Sequence, residues 1–109
     1  YCWYSVTGYS KIGSYTGNAS SNSVTTGFEP RFVMIKRTNA IGNWNIWDAI
    51  RNPSADNDNN NILYPNLSDA ELDAGSGRYI SFNSNGFTIS GDSGDQNQNG
   101  STYIYLAIK

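Results

Sequence analysis

Arg31 to Arg37 reads R-F-V-M-I-K-R, and this stretch decides the fold. Phe32, Val33, Met34 and Ile35 are consecutive apolar residues, the pattern of a central strand covered on both faces. Pro30 biases Glu29 toward extended backbone and suits a strand entrance. Downstream, Asn43 to Ile50 reads N-W-N-I-W-D-A-I. As a strand it puts Trp44 and Ile46 on one face and Asn45, Trp47 and Ala49 on the other. The linker Thr38 to Gly42 is short and ends in glycine, as a hairpin loop does.

The same signals recur along the chain. Tyr1 to Thr7 (Y-C-W-Y-S-V-T) has high β propensity, and Lys11 to Tyr15 and Val24 to Thr26 are shorter strand candidates. Gly17 to Ser23 is a loop by composition. Arg78 to Asn83 and Gly86 to Ser90 flank Ser84-Asn85-Gly86, and Asn-Gly is a strong hairpin signal. Thr102 to Lys109 (T-Y-I-Y-L-A-I-K) reads as a buried final strand. Asn52 to Asn61 and Gly91 to Gly100 are polar loops, and Ile62-Leu63-Tyr64 is a short apolar patch ended by Pro65. Asn66 to Leu72 can carry one helical turn, capped by Asn66 or Ser68. Strands this short, with turn signals about every ten residues, predict an all-β, antiparallel β-sandwich, jelly-roll or lectin-like, with at most one short helical turn.

Composition narrows the function. The chain has 109 residues, one domain by size, with 38% apolar and 14% aromatic residues. Seven basic residues against nine acidic ones leave no patch dense enough for a phosphate backbone, so nucleic acid is not an expected partner. Asn, Ser, Thr and Gly must supply solubility, which suits an extracellular or virion surface. No apolar window is long enough for a transmembrane helix. The first residue is Tyr1 and no signal peptide is visible, so a fragment, a processed form or a module of a longer chain is expected.

Chemistry-bearing residues are few. With no histidine, the commonest general base and metal ligand is missing, and no cofactor is expected. Cys2, the single cysteine, cannot form an internal disulfide and reads as a small hydrophobe, with an intermolecular bridge as the alternative. Glycosidase work needs two acids at a fixed separation, and Asp48, Asp69, Glu71 and Asp73 are available. Asp48 has a simpler partner in Arg51, three residues on. No Ser-His-Asp or Ser-x-x-Lys arrangement exists, so the chain is not expected to be an enzyme. Asp56, Asp58, Asp92 and Asp95 lie in Asn/Gly-rich loops of the kind that serve Ca²⁺; neither loop completes a binding motif, so solvated turns are expected, with a Ca²⁺ site as the alternative. N-x-[ST] sequons stand at Asn18, Asn66 and Asn99. Tyr9, Tyr15, Trp44, Trp47 and Tyr64 are candidates for a glycan platform, each weighed against a place in the core.

Five stretches together resemble a recurrent domain of unknown function found in large structural and tail-associated proteins of marine and freshwater bacteriophages. They are C-W-Y-S-V-T-G-Y-S-K-I-G-S-Y-T-G-N (Cys2 to Asn18), G-F-E-P-R-F-V-M-I-K-R-T (Gly27 to Thr38), N-W-N-I-W-D-A-I-R-N-P (Asn43 to Pro53), S-N-G-F-T-I (Ser84 to Ile89) and G-S-T-Y-I-Y-L-A-I (Gly100 to Ile108). The resemblance covers nearly the whole chain in order. It implies a virion or filament component, transfers no catalytic residues, and leaves the loops at Asn52 to Asn61 and Gly91 to Gly100 as the places where members differ. Two readings follow: a structural module assembling with copies of itself in a fibre or tail appendage, or an adhesin module recognising host-surface glycan. In the first, Cys2, Trp3 and Tyr4 at one end and Tyr103 and Tyr105 at the other are the strand residues expected to pair across a subunit boundary.

Overall fold

Nine strands form in the computed structural model, which describes residues 2–51 and 60–109. They are β1 (Ser10–Thr16), β2 (Asn22–Thr25), β3 (Phe32–Arg37), β4 (Trp44–Asp48), β5 (Asn61–Ile62), β6 (Leu72–Asp73), β7 (Tyr79–Asn83), β8 (Gly86–Ser90) and β9 (Thr102–Ile108). A four-stranded sheet runs β1-β9-β3-β4 and a three-stranded sheet runs β2-β8-β7, with β5 and β6 as a small pair. Every pairing is antiparallel. The chain is all-β, its sheets packed as in a β-sandwich.

Alternation along the strands builds the core. From the larger sheet, Val33, Ile35, Trp47, Tyr103, Tyr105 and Ala107 point inward; from the smaller, Val24, Ile80, Phe87 and Ile89 meet them. Phe87 meets Tyr105 edge-on at 5.3 Å, and Tyr15 stacks on Tyr103 at 5.1 Å. Rings supply much of this core, which is how a chain poor in aliphatic residues fills a sandwich. Gly13 lies opposite Tyr105, and a Cβ there would fall 2.7 Å from the Tyr105 hydroxyl, so the missing side chain gives the ring its place. Burial pushes the Tyr15 phenol far above its ordinary value, with Tyr103 adding to the shift, and burial also raises Tyr105.

The loop after β8 closes one end of the sandwich. Tyr15 donates to the Gln96 carbonyl at 2.5 Å, and Tyr103 donates to the Gly94 carbonyl at 2.9 Å. Asn97 is fully buried. Its Nδ2 donates to Ser20 O, Gly91 O and Asn18 Oδ1, and its Oδ1 accepts from Asn18 N–H and Asn22 Nδ2. One side chain thus ties two loops together. Asn45 Oδ1, Trp47 Nε1 and Gln96 Oε1 are buried with no hydrogen-bond partner among the described residues.

Three expectations need correction. The stretch read as strand Tyr1 to Thr7 forms none among its described residues: Val6 bridges Ser10 across a tight turn, and residues 2–5 lie outside any ladder. The final strand is no open end, because β9 carries β1 on one edge and β3 on the other. The helical turn at Asn66 to Leu72 does not form; a turn closes from Leu67 N–H to Tyr64 O, and a 3₁₀ turn lies instead at Gly75–Gly77. Gly86 opens β8, as the reading of Gly86 to Ser90 as a strand expected, and a glycine is needed there because a Cβ would fall 2.0 Å from the Val24 carbonyl oxygen.

Candidate binding face

The outward face of the four-stranded sheet is also apolar. Ile12, Leu106, Met34 and Ile46 form one row across β1, β9, β3 and β4. Ser14, Ile104, Lys36 and Trp44 form the next row, and Ser10, Ile108, Phe32 and Asp48 the one on the other side. The unbroken run in β3 therefore does place it centrally, but a sheet covers only one of its faces. Ile104 remains 42% exposed, whereas Leu106 is 8% exposed.

Trp3 borders this face beside both residues. It lines a hollow of about 110 Å³ with Ile12, Met34, Trp44, Ile104 and Leu106. A second, more open hollow of about 310 Å³ is lined by Met34, Trp44, Pro65 and Asn66. Met34 and Trp44 line both, so the two hollows adjoin on this face, together called the groove. Asn66 also holds its rim: its Oδ1 accepts from Trp44 N–H at 2.9 Å and its Nδ2 donates to Asn43 Oδ1 at 3.0 Å.

Both edges of this sheet are occupied. At β1, Ile12 N–H donates to Ser5 Oγ and Ser10 N–H to the Val6 carbonyl, so residues 5 and 6 take up outward-facing donors without extending the ladder. At β4, Ile46 and Leu63 exchange both backbone bonds. Such devices blunt an edge against uncontrolled pairing.

An ion pair borders the face, as the Asp48/Arg51 spacing suggested. Arg51 donates to Asp48 Oδ2 and to Glu71 Oε2, each at 2.6 Å, and to the Ile46 carbonyl at 3.3 Å. Asp48 Oδ1 accepts from the N–H groups of Ile50 and Arg51. Desolvation raises the Asp48 carboxyl, but the Arg51 hydrogen bonds and charge outweigh it and leave it below its ordinary value. Asp48 and Glu71 thus come together across one cation that pairs with both.

The structure divides the glycan candidates. Trp47 is wholly buried and Tyr15 is stacked in the core, so neither offers a face to a sugar. Tyr64 is half-buried and accepts from Arg78. Trp44 and the exposed Tyr9 keep surface free. Of the assembly residues, Tyr103 and Tyr105 are core, while Cys2, Trp3 and Tyr4 are exposed outside the strands. Among the sequons, Asn18 and Asn66 have both ends of their amides in hydrogen bonds, and Asn99 stands exposed in a turn. Asp95 accepts from Asn43 N–H, Asp92 is exposed, and Asp56 and Asp58 lie outside the described residues. Among the described residues, no three acidic or thiol side chains gather as metal ligands. The sequence reading missed Ile12, Met34, Ile104 and Leu106 as a surface. Their alternation was visible, but apolar character alone does not say what lies opposite.

Over residues 1–109 the chain matches the family described as a domain of unknown function, DUF7483. It belongs to that family. No curated protein and no solved structure matches it. Membership brings no assigned activity, so the outer face must be read from its own chemistry.

Proposed function

We propose that this chain is a structural module of an extracellular fibre or phage tail appendage, assembling with copies of itself. The observation that carries the reading is the apolar outer face: a row of four hydrophobic side chains, flanked by Trp44 and a 42% exposed Ile104, with no second sheet against it among the described residues. Apolar surface left partly exposed in this way, most of all at Ile104, is of the kind that marks interaction sites. The polar, weakly charged composition supports placement outside the cell or on a virion, and the resemblance described above supports the tail setting. A non-enzymatic role fits Asp48 and Glu71, two of the four candidate acids, being tied to Arg51.

Light scattering across a concentration series, with negative-stain imaging at the upper end, tests this. Oligomers growing with concentration are the expected result, and a monomer throughout overturns the reading. A second reading, a glycan-binding adhesin module, draws support from Trp44 beside the Asn43 and Asn66 amides, because a sugar ring stacks on an indole while amides meet its hydroxyls. Glycan-array binding abolished by Trp44→Ala would favour it; an array without signal would remove it.

A further inference from the structure

We propose that the groove on the outer face is a socket for Trp3, and that copies join by exchanging residues 2–5, so that Trp3 of one fills the socket of the next. This rests on the self-assembly reading and gives it a specific contact.

Trp3 lines one hollow of this face together with Ile12, Met34, Trp44, Ile104 and Leu106, so its indole already borders the groove within one chain. The seat is incomplete, however. Trp3 is 65% exposed and Tyr4 82% exposed, and side chains of this size gain most when water is removed from both faces. Their attachment is also light. Residues 2–5 join no ladder, and Ser5 Oγ to Ile12 N–H and Tyr4 O to Ser10 Oγ are their bonds to β1.

A hinge lies just beyond. Val6 N–H and Ser10 N–H each pair with the opposite carbonyl, closing a tight turn that has Gly8 at φ 74°. Opening that turn carries residues 2–5 away from their own sheet and along the same β1 edge of a second copy. The exchanged contacts repeat the internal ones, which keeps the cost of swapping low, and tight hinge loops favour it. Burial of Trp3, Tyr4 and Ile104 between two copies supplies the net gain. Exchange in one direction from copy to copy gives an open chain, whereas mutual exchange closes a dimer.

Two variants with complementary defects test the exchange. Trp3→Ala keeps the socket and lacks the plug; Ile104→Arg keeps the plug and obstructs the socket. Each alone should need about tenfold more protein to assemble than the wild type, while Trp3→Phe recovers most of the loss. Mixed in equal amounts, Trp3→Ala and Ile104→Arg should form a one-to-one pair that grows no further. Trp3 lies outside every strand and Ile104 on an open face, so both variants should keep the wild-type circular dichroism spectrum; Ile104→Gln replaces Ile104→Arg if the latter does not. A wild type that assembles beside a Trp3→Ala variant that assembles equally well overturns the exchange and leaves the module reading standing. The absence of a mixed pair also overturns it. A wild type that stays monomeric overturns both.

Discussion

Trp44 and Trp47 stand three residues apart on the same five-residue strand, and the fold treats them oppositely. Trp47 points inward and is fully buried with Val33, Ile35, Phe87 and Ile89; Trp44 points outward and lines a groove. Residue type and strand are shared. What differs is the layer opposite: a three-stranded sheet on one side, one light segment carrying an indole on the other. An apolar face is a core only when something covers it. Trp47→Ala should therefore cost about 3–5 kcal/mol, the range for emptying a large buried side chain. Trp44→Ala should cost about 1 kcal/mol. Urea unfolding of both variants measures this, and equal midpoints would abolish the distinction between the faces.

Polar side chains sharpen the same contrast. Asn97 joins two loops from a fully buried position, whereas Asn66 makes its two bonds on the exposed rim of the groove. Asn97→Ala strands several buried donors and acceptors and should cost about 2–4 kcal/mol. Asn66→Ala leaves groups that water reaches and should cost under about 1 kcal/mol. Amide exchange locates the effect: Asn18 N–H, which donates to Asn97 Oδ1, should exchange faster in Asn97→Ala than in the wild type. If Asn18 stays protected, the loops hold without their link.

Neighbours on β1 give a smaller pair. A methyl at Gly13 would lie within 2.8 Å of Tyr105 ring carbons, forcing the ring to move inside a packed core. Gly13→Ala should cost about 1–3 kcal/mol. Ser14, the next residue, faces outward and is exposed, so Ser14→Ala should stay within about 0.5 kcal/mol. Thermal unfolding separates the two, and a neutral Gly13→Ala would mean that Tyr105 has room to spare.

Period and punctuation made much of this legible. The F-V-M-I run gave the central strand, the alternation in N-W-N-I-W-D gave the correct faces for Trp44 and Trp47, and G-F-T-I-S matched β8 from end to end. The Asp48/Arg51 pair followed from spacing alone. Pairing partners were harder to read. Y-C-W-Y-S-V-T has high β propensity, yet the outward Ile12 donor beside it is taken by the Ser5 side chain, so no ladder forms. Asn97 sat in a loop that looked merely solvated, because nothing local shows that an asparagine will meet acceptors about eighty residues earlier. The groove was illegible for a related reason: its four strands come from β1, β3, β4 and β9, and only the register aligns Ile12, Leu106, Met34 and Ile46.

The smallest expected effect lies at the groove's border and depends on pH. Asp48 carries a folded-state value below its ordinary one, since the Arg51 hydrogen bonds and charge outweigh the desolvation that opposes them. A lowered carboxyl binds its proton less readily when folded than when unfolded. Its contribution is therefore complete above the unfolded value of about 3.9 and is lost as pH falls through the folded value. The pair is partly exposed, with side chains 22% and 25% accessible, so its worth is at most about 1 kcal/mol. Asp48→Asn keeps an acceptor for the Ile50 and Arg51 N–H groups but removes the charge. The stability gap between wild type and Asp48→Asn should be widest near neutral pH and close as the solution is acidified below about pH 4. Core variants such as Trp47→Ala should keep their deficit over the same range, because no proton is exchanged at that site. A gap for Asp48→Asn that ignores pH would assign the residue's role to its hydrogen bonds alone, leaving the charge at the edge of the outer face without energetic consequence.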